Sequence, residues 1–135
     1  MTEISYRRKP PLSNETLNAL FAAAWPSHRQ RDFQPVLHRS LVYIAAFQGT
    51  RLVGFVNVAW DGGVHGFVLD TTVHADVRRR GIGLALLREA AKAASQSGLK
   101  WLHVDFVKEL EPFYRSAGYR DTVAGLLYLR RDGAG

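Results

Sequence analysis

Arg78-Arg79-Arg80-Gly81-Ile82-Gly83 lies between the apolar run Phe67 to Val73 and the Leu/Ala-rich stretch Leu84 to Ala94. The run before it reads as a strand. The stretch after it places Leu84, Leu87, Ala91 and Ala94 on one stripe of a helix. A strand, a positively charged loop with two glycines and a helix together bring backbone amides to one point. Glycine lets the chain approach a ligand without a Cβ in the way. The first helical turn adds unpaired N–H groups backed by the positive end of its dipole. Phosphate or pyrophosphate suits that point.

Working outward, Ser13 or Asn14 can cap a helix carrying Leu17, Leu20 and Phe21 on one face, ended by Trp25-Pro26. The polar, basic stretch 27–40 predicts a short second helix interrupted around Pro35. Leu41 to Phe47 and Leu52 to Trp60 are β-rich and flank the hairpin turn Gln48-Gly49-Thr50-Arg51, and Asp61-Gly62-Gly63 turns into a strand from Val64 to Val73. After the loop, the helix ends at Ser97-Gly98 and Leu99 to Phe106 alternates as a strand. Glu109 to Ala117 is a short helix with Pro112 in its first turn, closed by Gly118; Tyr119 to Arg130 supplies one or two more strands before a frayed tail from Asp132. The order αα-βββ-α-β-α-β predicts one mixed α/β domain over residues 1–135. Its strand-helix-strand crossover should be parallel and right-handed.

The chain has 135 residues and no cysteine, which excludes disulfides, thiolate metal sites and cysteine nucleophiles. No histidines and acids stand at metal-ligand spacing, so no metal is expected. The first residues lack the apolar core of a signal peptide and no window is long enough to span a bilayer, so the expectation is a cytoplasmic protein without a membrane partner. Net charge is +6, with arginine outnumbering lysine. That balance favours anionic partners or simply a solvated basic surface. Arg7-Arg8 and Arg78-Arg79-Arg80 lack the interleaved aromatic platform or helix-turn-helix of a nucleic-acid binder, so none is expected.

Val73 to Leu87 resembles the acetyl-coenzyme A signature of the GCN5-related N-acetyltransferase (GNAT) superfamily, which reads Arg or Gln, two residues, Gly, one residue, Gly or Ala. Arg78, Gly81 and Gly83 hold its fixed positions. Leu110 to Tyr119, with Pro112-Phe113-Tyr114 and Gly118-Tyr119, is similar to the helix and turn near the C terminus of that family. The element order fits as well. The resemblance implies a mostly antiparallel central sheet with one splayed strand pair, and acetyl-CoA as cosubstrate. Backbone amides of Arg80, Gly81, Ile82 and Gly83 would cradle its pyrophosphate, with Arg78 and Arg79 assisting and main-chain groups of Thr72 and Val73 pairing the pantetheine arm.

The same resemblance gives Tyr114 the role of general acid toward the departing thiolate, a role for which a phenol with its ordinary pKa near roughly 10 is suited. Where some relatives carry a basic glutamate or histidine, this chain has Phe67 and Leu69. Asp70 and Asp105 resemble acids that hold and deprotonate the acceptor amine. His65 and His74 rank below them. Two departures stand out: Asp70-Thr71-Thr72-Val73 is more polar than the usual strand, and Val107 replaces the asparagine that often begins the last helix.

The expected activity is transfer of an acetyl group to a primary amine of a small molecule by direct attack. The alternative is a non-catalytic acetyl-CoA sensor or protein-binding domain of the same fold. His28, Arg29, Arg31, His38 and Arg39 fit either an acceptor bearing a carboxylate or phosphate or a solvated basic face. Strand edges near the C terminus suit a homodimer.

Overall fold

In the computed structural model, residues 3–130 are described. They form two compact units, one ending at Val104 and the other starting at Asp105.

The first unit is a five-stranded sheet: β1 (Ile4–Arg8), β2 (Val42–Gln48), β3 (Arg51–Trp60), β4 (His65–Val73) and β5 (Trp101–His103), in that spatial order. The first four strands are antiparallel neighbours, and β5 joins β4 in parallel. β1 adds a strand absent from the expected order. Its alternation is short and arginine-bearing, as suits a charged edge strand. The two-residue turn after β2 has Gly49 at φ 63, the left-handed conformation expected there.

Helices cover both faces of the sheet. On one lie α1 (Asn14–Ala24) and α2 (Gln34–Arg39). Ser13 caps α1, its Oγ accepting from the N–H of Thr16 at 3.1 Å. Phe21 of α1 meets Phe33 and Phe55 at centroid distances of 4.9 and 6.0 Å, and Tyr43 completes the cluster. Pro35 sits in the first turn of α2, where its missing N–H is harmless, so it starts that helix and does not interrupt it.

Across the other face runs α3 (Ile82–Gln96), with Ile82 and Leu86 over Gly54; a Cβ there would lie 3.0 Å from Leu86 Cδ1. The buried positions of α3 are Ile82, Leu86, Leu87, Ala90, Ala93 and Ala94. This corrects the predicted stripe: Ala91 is exposed and Leu84 only half-buried, because packing on Gly54 rotates the face toward Leu86 and Ala90. Gly98, at φ 94, ends the helix in a Schellman motif in which Leu99 N–H donates to Ala94 O and Gly98 N–H to Ser95 O.

In the second unit a 3-10 turn at Lys108–Leu110 leads into α4 (Glu111–Ser116), with Pro112 in its first turn. Residues 119–130 contain no strand, which corrects the expected one or two C-terminal strands and removes the edges on which the homodimer expectation rests. Val123, Leu126, Leu127, Tyr128 and Leu129 are fully or largely exposed, and without a partner ladder an apolar segment does not become a strand. The tail from Asp132 lies outside the described residues. Among these, no helix is long and apolar enough to cross a membrane.

Candidate active site

The arginine-glycine loop opens α3 as its composition requires. Arg79 and Gly81 both take left-handed backbone, φ 66 and 77, and Gly81 is the N-cap residue, with no side chain capping the first turn. The leading N–H groups of Ile82, Gly83 and Leu84 thus have no intrahelical carbonyl to bond. A Cβ at Gly81 would meet nothing within 4 Å, so the approach to these groups is open. Arg78 turns back, its Nη2 donating to the carbonyl of Ala24 at the end of α1 at 2.6 Å. That side chain ties the loop to α1, while Arg79 and Arg80 are exposed and make no ion pair among the described residues.

Ahead of the loop, β4 and β5 pair only from His65–Phe67 to Trp101–His103. Beyond Phe67, β4 has no strand partner on that side among the described residues. Here too it bulges: between the pairs Asn57–Leu69 and Phe55–Thr72 it carries one residue more than β3. Asp70 takes up the excess in left-handed backbone, φ 59, a conformation aspartate tolerates better than most residues. Thr72 locks the bulge, its hydroxyl donating to Asp70 O at 2.9 Å and accepting from Trp25 Nε1 at 3.3 Å. Two buried oxygens here, Thr71 Oγ1 and Asn57 Oδ1, have no hydrogen-bond partner among the described residues.

Over this bulge opens a cleft of about 500 Å³, lined among others by Trp25, His28, Arg29, Arg31, Asp70 and Thr71. Its far wall, the loop from α1 to α2, is organised by Asn18, which is 4% exposed. The Asn18 amide donates to the carbonyls of Asn14 and Arg31, and its oxygen accepts from the Arg31 N–H and from His28 Nε2, at 2.8 to 3.0 Å. Every hydrogen-bonding position of Asn18 is filled, and Nε2 of His28 must be the protonated nitrogen. The Arg31 guanidinium lies 4.4 Å from the Phe33 ring and 3.6 Å from the Asp70 carboxylate. Asn18→Ala strips partners from two carbonyls and an N–H, so chemical denaturation should show a loss of roughly 2–4 kcal/mol.

His38 and Arg39 do not line the cleft; they belong to the solvated end of α2, Arg39 donating to Pro35 O. His74 accepts from the Asp76 N–H and neighbours the Arg51–Asp76 ion pair, which with His74 holds the Asp76 carboxyl below its usual range. The parallel register also joins two histidines that sequence order keeps apart. His65 Nδ1 and His103 Nε2 are 2.9 Å apart, with His103 stacked on Phe67 where the strands separate. Only knowledge of the β4–β5 register could have singled out His103.

In the second unit, Tyr114 is 6% exposed, stacked on Phe106 at 4.7 Å and edge-on to Phe113 and Tyr119. Burial, and secondarily Tyr114, push the Tyr119 phenol up to about 12. Asp105 is exposed. Among the described residues no group of three or more potential ligands could hold a metal ion.

The profile of the Acetyltransferase (GNAT) family matches residues 12–119. A mycothiol acetyltransferase of Mycolicibacterium vanbaalenii is 34% identical over 91 residues, covering 66% of this chain; the alignment spans only 29% of that relative's length. A GNAT-family acetyltransferase from Streptococcus pneumoniae superposes with a TM-score of 0.81 at 24% identity, covering 96% of this chain and 100% of the other. An aminoglycoside N-acetyltransferase in complex with CoA gives 0.75 at 16% identity, covering 98% and 97%. At such identities the superpositions speak for the fold alone. The family match runs from before the first helix to the turn after the last and takes in the arginine-glycine loop: the chain belongs to the GNAT family of acetyltransferases.

Proposed function

We propose that the protein is an acetyl-CoA-dependent N-acetyltransferase acting on a primary amine of a small molecule. The observation that carries this is the uncapped N terminus of α3 behind Arg79-Arg80-Gly81, following the end of β4 that β5 does not reach. These residues fit a pyrophosphate-bearing group: the amides of Arg80, Gly81, Ile82 and Gly83 are the donors, Arg79 and Arg80 the counter-charges, and Arg78 the anchor of the loop. Thr72 and Val73 offer main chain to the pantetheine arm, and Thr71 Oγ1 is a buried oxygen in want of a partner.

Bound acetyl-CoA supplies a thioester that an amine attacks directly, since a chain without cysteine forms no acetyl-cysteine intermediate. Asp70 holds the acceptor ammonium and takes its proton, directly or through water. Asp105 orients the amine, and Tyr114 Oη gives a proton to the departing sulfur.

Release of free thiol, screened over amino acids, aminosugars, polyamines, arylalkylamines and peptide N termini, tests the reading. Turnover with none of them, in a protein that binds acetyl-CoA, points to the sensor alternative. With a productive acceptor, Asp70→Asn should lower kcat/KM about tenfold, with the deficit shrinking as pH rises and the amine loses its proton unaided. A deficit independent of pH would contradict the proton-accepting role.

A further inference from the structure

We propose that the cleft over the bulge selects acceptors carrying a carboxylate or phosphate one or two carbons from the reacting amine. This deepens the acetyltransferase reading and rests on it. The cleft brings two guanidinium groups, Arg29 and Arg31, against a single carboxylate, Asp70. A bare ammonium or a polyamine therefore enters a region of net positive charge. Arg29 makes no ion pair among the described residues.

The Arg31–Asp70 pair makes the argument specific. A separation of 3.6 Å between partly exposed side chains is a loose contact, weaker than a close hydrogen-bonded pair. It presents a cation and an anion at about the spacing of the two ends of a compact zwitterion. Such an acceptor replaces one loose pair with two: its ammonium on Asp70 and its acid on Arg31, with Arg29 close to the same wall. An amine without an acid must separate Asp70 from Arg31 and leave the arginine uncompensated.

The cleft is built to hold this geometry. Arg31 is fixed from both sides, its backbone N–H and carbonyl by Asn18 and its guanidinium by the Phe33 ring. Asp70 is fixed by the left-handed bulge and by the Thr72 hydroxyl on its carbonyl. The main chain beneath both charges is therefore held before the acceptor arrives, which lowers the entropic cost of the pairing.

The test uses matched acceptors, phosphoethanolamine against ethanolamine and L-phenylalanine against L-phenylalaninamide, with spermidine alongside. In thiol-release assays the acid-bearing member of at least one pair should lead by about tenfold or more in kcat/KM. Which pair responds separates phosphate from carboxylate. Arg31→Gln should shrink that ratio to within about threefold through KM, whereas Arg39→Gln, outside the cleft, should keep it. Equal rates within both pairs, a preference for spermidine, or a ratio untouched by Arg31→Gln overturns the proposal and leaves acetyl transfer standing. If acetyl-CoA neither binds nor turns over, the enzyme reading fails instead. Calorimetric titration with the same compounds then decides the cleft: Arg31-dependent binding of acid-bearing amines supports it, and equal or absent binding overturns it.

Discussion

Replacing Tyr114 by phenylalanine should lower kcat by about a hundredfold or more, the scale on which a positioned acid contributes. The ring is held by packing that the substitution keeps. Tyr114 stacks on Phe106 and meets Phe113 and Tyr119 edge-on, all of which phenylalanine preserves. The protein should therefore still fold, with the melting temperature lowered by no more than about 5 °C. Thiol release under saturating acetyl-CoA reads the rate, and melting curves read the fold. An undiminished rate would assign Tyr114 to packing and remove the general acid.

Gly81→Val should abolish stabilisation by acetyl-CoA, which at a hundredfold excess over Kd amounts to about 2.7 kcal/mol in the parent protein. The side chain meets no neighbour within 4 Å, so steric clash is not the cause. Left-handed backbone at φ 77 strains a β-branched residue by roughly 1–2 kcal/mol, and a branched side chain removes the close main-chain approach to a ligand that glycine allows. Gly62→Val is the matched control: φ 83, open space, and a place in the β3–β4 turn. It should show the same order of strain in thermal melts and an intact response to acetyl-CoA. An unchanged acetyl-CoA shift in Gly81→Val would place the cofactor elsewhere.

The elements legible in the sequence are those that local chemistry decides. Ser13 capping α1, Gly49 in a hairpin turn, Gly81 opening α3 and Gly98 closing it each act within a few residues. Pairing between distant segments is another matter. β1 carries no strong periodic signal and forms because β2 offers it an edge, whereas residues 119–130 carry apolar side chains and form no strand. The candidate site divides in the same way. The loop from Arg78 to Gly83 was visible as a run of residues, but the bulge that lifts Asp70, its pairing with Arg31 and the His65–His103 contact depend on strand register. Asn18 shows the limit most plainly: a helical asparagine reads as unremarkable surface until the loop folds over it.

Titration of acetyl-CoA into the protein, followed by calorimetry, tests the central claim most directly. Saturable binding at one site per chain, with Kd in the micromolar to sub-millimolar range usual for enzyme substrates and lost in Gly81→Val, is the predicted result. Absence of binding at millimolar acetyl-CoA to a folded protein would contradict it.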